Sequence, residues 1–197
     1  METLFFSIGK DKILSFLRWF FNALFFYIGW LVCMYEAVGK YPLIGPLVVG
    51  GILIYHFIVT NEKKSDLIIC LALAFLGTIV DSVYVAIGML EYQGGFEYFP
   101  NIAPLWITSL WVLYGTSVNH SLKWMRCSVF VAAAMGAGGA ISSYLAGLKL
   151  EAVNFLWEEW LVLTVIGTVW AIVVPLSLYF GFLLRKKEQG VGVTKKA

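Results

Sequence analysis

Six apolar stretches alternate with short polar breaks along the chain: Trp19 to Ala37, Pro42 to Thr60, Leu67 to Leu90, Ala103 to His120, Met125 to Gly147 and Trp160 to Leu184. Each approaches or exceeds the roughly 20 residues with which an α-helix crosses bilayer hydrocarbon. The connections are short enough to pack neighbours antiparallel. The pattern predicts an all-α polytopic membrane protein, a bundle of six transmembrane helices. The longest break, EYQGGFEYFPNI from Glu91 to Ile102, carries a Gly-Gly pair and Pro100. A single domain over 1–184 is expected, followed over 185–197 by a basic tail, RKKEQGVGVTKKA, too polar to bury a core.

Patterns inside the stretches predict which faces are covered. In the fifth, Ala132, Gly136 and Ala140 recur every four residues, as do Gly139, Ser143 and Gly147, giving two small-residue ridges that let backbones approach closely. The first ridge is also where an oligomer or partner protein is expected to dock. In the third, Ala74, Gly77, Thr78, Asp81 and Gly88 share an arc of about 100°, which turns Asp81 inward. In the fourth, Thr108, Ser109, Gly115, Thr116, Asn119 and His120 fall on one face opposite Trp106, Ile107, Leu110, Tyr114 and Val118. Ser117 lies off that face and is expected to return its hydroxyl to a carbonyl one turn back. Pro175 sits mid-span in the sixth, where it removes a backbone bond and is expected to kink the helix.

Composition agrees with a lipid solvent. The chain is 60% hydrophobic and 13% charged, with a mean hydropathy of +0.84, against about 25% charged for soluble domains. A net charge of +2 gives no reason to expect nucleic acid as a partner. The basic residues instead read as topology. With a cytoplasmic N-terminus, Lys10, Lys12, Arg18, Lys63, Lys64, Lys123, Arg126, Arg185, Lys186, Lys187, Lys195 and Lys196 fall inside, and only Lys40 and Lys149 outside. Both termini are therefore expected in the cytoplasm. No cleavable signal or lipidation motif is read at the N-terminus. Trp19, Trp106, Trp124, Trp157 and Trp160 fall near predicted helix ends, as interfacial indoles do. Cys33, Cys70 and Cys127 lie far apart in apolar runs and read as small buried side chains.

The same topology groups the polar residues by depth. His120, His56 and Asn22 lie near the cytoplasmic ends of their helices, and with Asn119 and Arg18 they could line a pocket open to the cytoplasm. The alternative is a set of interhelical hydrogen bonds. Two histidines without an inner-half carboxylate fall short of a zinc site, and Asp81, about 20 Å along its helix, is too deep to join them. No metal and no cofactor are expected. Asp81 should be protonated, hydrogen-bonded or facing a wet cavity, as a proton-coupling carboxyl or a polar clasp. Glu36, Glu91, Glu97, Glu151, Glu158 and Glu159 read as solvated rim charges. No catalytic motif is present.

Asn22 and Trp30 in the first stretch, LGTIVDSVYVAIGML in the third, PLWITSLWVLYGTSVNHSLKW in the fourth and SSYLAGLKLEAV after the fifth carry a resemblance over nearly the whole chain. The chain resembles an uncharacterised family of small bacterial inner-membrane proteins, a domain of unknown function, often encoded beside fatty-acid-modifying enzymes. The resemblance implies a lipid-related role in the bacterial inner membrane. Positions matching its motifs are Asn22, Asp81, Trp106, Trp111, Asn119 and His120. Three functions follow as expectations: binding or processing a lipid or other hydrophobic molecule through Asn22, His56, Asp81, Asn119 and His120; proton-coupled transport through Asp81; or a non-enzymatic scaffold.

Overall fold

A computed structural model describes residues 2–190, with side chains from Ile13 onward. Six helices run in the order α1 (Glu2–Ala37), α2 (Ile44–Val59), α3 (Lys63–Ala86), α4 (Leu105–Val118), α5 (Val129–Lys149) and α6 (Glu159–Glu188). A 3₁₀ turn, Lys123–Cys127, joins α4 to α5, and strands β1 (Leu90–Tyr92) and β2 (Val153–Phe155) follow α3 and α5. The six expected helices are present with shifted ends. The fifth starts at Val129 because Ser128 caps it, its hydroxyl accepting from the Val131 amide. The sixth continues through Arg185 to Glu188 into the expected tail; residues 191–197 lie outside the described residues. Pro175 sits within an unbroken α6.

From Ile13 onward α1 is long and apolar enough to cross a membrane, as are α3, α5 and α6; α2 and α4, at 16 and 14 residues, are shorter. At 1.5 Å per residue α4 is about 21 Å long. It is enclosed by the bundle, since α1, α2, α3 and α6 all pack against it. The single inward face expected of α4 is therefore corrected. Trp106, Ile107, Trp111, Leu113, Tyr114 and Val118 are as buried as Ser109 and Thr116. Trp106, expected at an interface, is 1% exposed and donates its indole N–H to Gln93 O at 2.8 Å. Ser117 is buried without a partner, and Thr116 makes the bond back into the helix, to Leu113 O at 2.7 Å.

The outer surface is the reverse of a soluble protein's. Leu47, Ile54, Ile58, Leu71, Phe75 and Phe130 are each 62% exposed or more, an apolar girdle that hydrocarbon tolerates and water penalises. The first ridge of α5 is covered within the chain: a Cβ on Gly136 would lie 2.6 Å from Trp170 O on α6.

The all-α fold carries one small addition that the sequence did not predict. β1 and β2 pair antiparallel, Leu90 opposite Phe155 and Tyr92 opposite Val153. Each strand follows a helix that ends in the same 6→1 and 5→2 pattern. Met89 N bonds Tyr84 O and Gly88 N bonds Val85 O after α3; Ala152 N bonds Gly147 O and Glu151 N bonds Leu148 O after α5. Gly88 (φ 65°) and Glu151 (φ 60°) take the left-handed turn position. This small ribbon closes one end of the bundle over Met89, Leu90, Val153, Val162 and Ile166.

Candidate binding groove and its polar end

At the end of the bundle opposite the ribbon, a groove of about 880 Å³ opens between α1, α2 and the end of α4. Its wall is apolar, with Leu17, Phe21 and Phe25 from α1 and Ile52, Tyr55 and Ile58 from α2. Its end is polar, with His56, His120, Asn119, Glu62, Arg18 and Lys123. Among the described residues, Arg18 and Lys123 have no ion-pair partner, whereas Arg185 pairs with Glu62 at 2.6 Å.

Behind the polar end lies Asp66, fully buried in the first turn of α3. Its Oδ2 accepts from Thr60 Oγ1 at 2.8 Å and lies 2.9 Å from His56 Nε2 and 2.7 Å from His120 Nε2. Its Oδ1 accepts from Asn119 Nδ2 at 2.9 Å. Asn119 is held in turn, its Oδ1 accepting from the Arg126 guanidinium at 2.7 Å while Arg126 also donates to Val118 O and Leu178 O. A Cβ on Gly181 would lie 2.8 Å from Asn119 Oδ1, so glycine there makes room for this ladder. Charge-assisted bonds of this kind are the stronger ones. Satisfying a carboxylate this way offsets the several kcal/mol that its burial costs.

Of the residues expected to share a pocket, Arg18, Asn22, His56, Asn119 and His120 all line the groove, but only His56, Asn119 and His120 meet on one group, the Asp66 carboxylate that the sequence pattern did not place there. The sequence places it just before the apolar run at Leu67, where an acid reads as solvated. The available signal was its position in the first turn of a helix whose start shares the histidines' depth. Asn22 also lines the groove, but its amide clamps α1 to α4: Nδ2 donates to Thr116 O and Oδ1 accepts from Ser121 N. Trp19 reinforces that contact by donating to Ser121 O. Glu188, on α6, receives the Lys64 and Ser65 amides at the start of α3.

Asp81 stands apart. It is fifteen residues along α3 from Asp66, about 22 Å at helical rise, and does not line the groove. Fully buried, it accepts from Tyr92 at 2.5 Å and Tyr144 at 2.6 Å on Oδ1, and from Trp111 Nε1 at 2.7 Å on Oδ2. Burial, then the adjacent carboxyl, hold the Tyr92 hydroxyl well above its usual pKa, so it stays a donor. Gly77 makes the arrangement possible, since a Cβ there would come within 2.0 Å of the Trp111 ring. Cys33 and Cys70 are buried as expected; Cys127 is exposed, because the 3₁₀ turn carries it outside the fifth helix.

A family model described as a protein of unknown function, DUF2878, matches residues 19–176. The chain belongs to this DUF2878 family. The match spans Asn22, His56, Asp66, Asp81, Asn119, His120 and Arg126, and stops before Gly181, Arg185 and Glu188. Beyond the DUF2878 model, no curated protein and no solved structure matches the chain.

Proposed function

We propose that this DUF2878 protein is a multi-pass protein of the bacterial inner membrane. All six helices cross, both termini lie in the cytoplasm, and the groove binds a lipid or other hydrophobic molecule. The observation that carries the reading is the two-part lining of the groove. A tail lies along Phe21, Phe25, Ile52 and Tyr55, and a polar head meets His56, His120 and Asn119. Arg18 and Lys123, which have no ion-pair partner among the described residues, favour an anionic head. A volume of about 880 Å³ falls in the usual range of small-molecule sites, about 300–1,000 Å³. The short helices fit the same arrangement: the bundle encloses α4, and the groove opens beside α2.

Mass spectrometry of molecules retained on protein purified in mild detergent tests the proposal. An amphiphile near one per chain is expected on the wild type. Ile52→Trp, which fills the apolar wall, and His120→Ala, which removes a head contact, should each lower retention several-fold without loss of membrane accumulation. Equal retention in all three, or none in the wild type, overturns it.

A further inference from the structure

We infer that His56, Asp66 and His120 form a binding site for one divalent first-row transition-metal ion, with an open coordination position facing the groove. The chain has two histidines in all, 64 positions apart in sequence, and both bring Nε2 to the same carboxylate oxygen, at 2.9 and 2.7 Å. Their rings stand edge to face, with centroids 5.0 Å apart. The three donor atoms lie within 4.8 Å of one another and come from α2, the first turn of α3 and the turn after α4. Such convergence is the donor set of two imidazoles and one carboxylate that holds zinc or iron(II) while leaving positions open.

The two N–O contacts can be compared with the spacing a metal ion requires. With metal–ligand bonds of about 2.0–2.2 Å, tetrahedral ligands sit about 3.3 Å apart. Opening the two N–O contacts by about half an ångström then admits the ion in place of the two shared protons. His120, whose side chain is 21% exposed, borders the groove and can make that adjustment. The surroundings resemble an outer shell built to orient a ligand. Asn119 holds the free oxygen of Asp66, Arg126 holds Asn119, and Thr60 bonds Oδ2 directly. Asn119 and Arg126 fix Oδ1, the oxygen turned away from the imidazoles, so that Oδ2 stays aimed at both Nε2 atoms. The inference rests on the cluster alone and not on what occupies the groove.

Because there are no other histidines, the test needs tag-free protein. After chelator treatment, wild type loaded with Zn²⁺ and passed through gel filtration should retain about one equivalent. His56→Ala and Asp66→Asn should retain at least tenfold less, and Asn119→Ala should bind about 10–100-fold more weakly, as loss of an outer-shell partner does. Cu²⁺ loaded into the wild type should show electron paramagnetic resonance splitting from two imidazole nitrogens, a signature only His56 and His120 can supply. That spectrum decides the matter if the variants do not fold. No Zn²⁺ retention, retention equal in wild type and folded variants, or a copper spectrum without nitrogen splitting overturns the site. Amphiphile retention is read separately, so an empty groove leaves the metal result intact.

Discussion

Replacing Asp81 by alanine removes the acceptor that Tyr92, Tyr144 and the Trp111 indole share. The two hydroxyls are already 3.3 Å apart and can partly satisfy each other, which leaves the indole N–H and one hydroxyl proton stranded in a buried site. Each stranded donor costs about 1–3 kcal/mol, so the change should destabilise by about 2–6 kcal/mol. For a chain of this size that is a melting-point drop of at least about 4 °C. Asp81→Asn behaves differently, because tyrosine hydroxyls accept as well as donate. Its amide oxygen can face Trp111 while its NH₂ faces the tyrosines, and the cost falls to about 1 kcal/mol. Tryptophan-fluorescence melting in detergent measures both variants. Asp81→Asn should also keep wild-type amphiphile retention, as Asp81 lies about 22 Å from the Asp66 cluster. Equal melting points for the two variants, or loss of retention in a stable Asp81→Asn protein, would refute the clasp reasoning and return Asp81 to a functional role.

Gly77→Ala should mimic part of that loss, since the added carbon meets the Trp111 ring at 2.0 Å. Melting should show about 1–3 kcal/mol of destabilisation. Glu188→Ala leaves the Lys64 and Ser65 amides without their cap, and hydrogen exchange at those two amides should speed several-fold, in line with the roughly 0.5–2 kcal/mol that a helix cap contributes. Unchanged exchange would mean that water replaces the carboxylate without cost.

Element existence was legible because helices of this length carry their apolar pattern with them; all six appear, and Arg18, Asn22, His56, Asn119 and His120, expected to share a pocket, line one groove. What escaped was set by contacts that periodicity does not encode. The strands Leu90–Tyr92 and Val153–Phe155 are three residues each, too short for alternation to stand out beside apolar helices. Asp66 and Arg126 flank apolar runs, where charges ordinarily mark topology; here one is the centre of the polar cluster and the other supports it through Asn119. Trp106 was misplaced for a related reason. Its position near a helix start resembles an interfacial anchor, but the β1 loop folds over it and supplies the Gln93 carbonyl.

The claim on which the cytoplasmic access of the groove and the metal site depends is the direction of the bundle, and the native cysteines can report it. Cys33 and Cys70 are buried, whereas Cys127 is exposed beside Arg126 at the groove end. With the chain expressed in a bacterial host, a membrane-impermeant maleimide should label Cys127 in inverted inner-membrane vesicles and leave intact spheroplasts unlabelled. Labelling from the periplasmic face of spheroplasts would place the histidine cluster on the opposite side and contradict the arrangement.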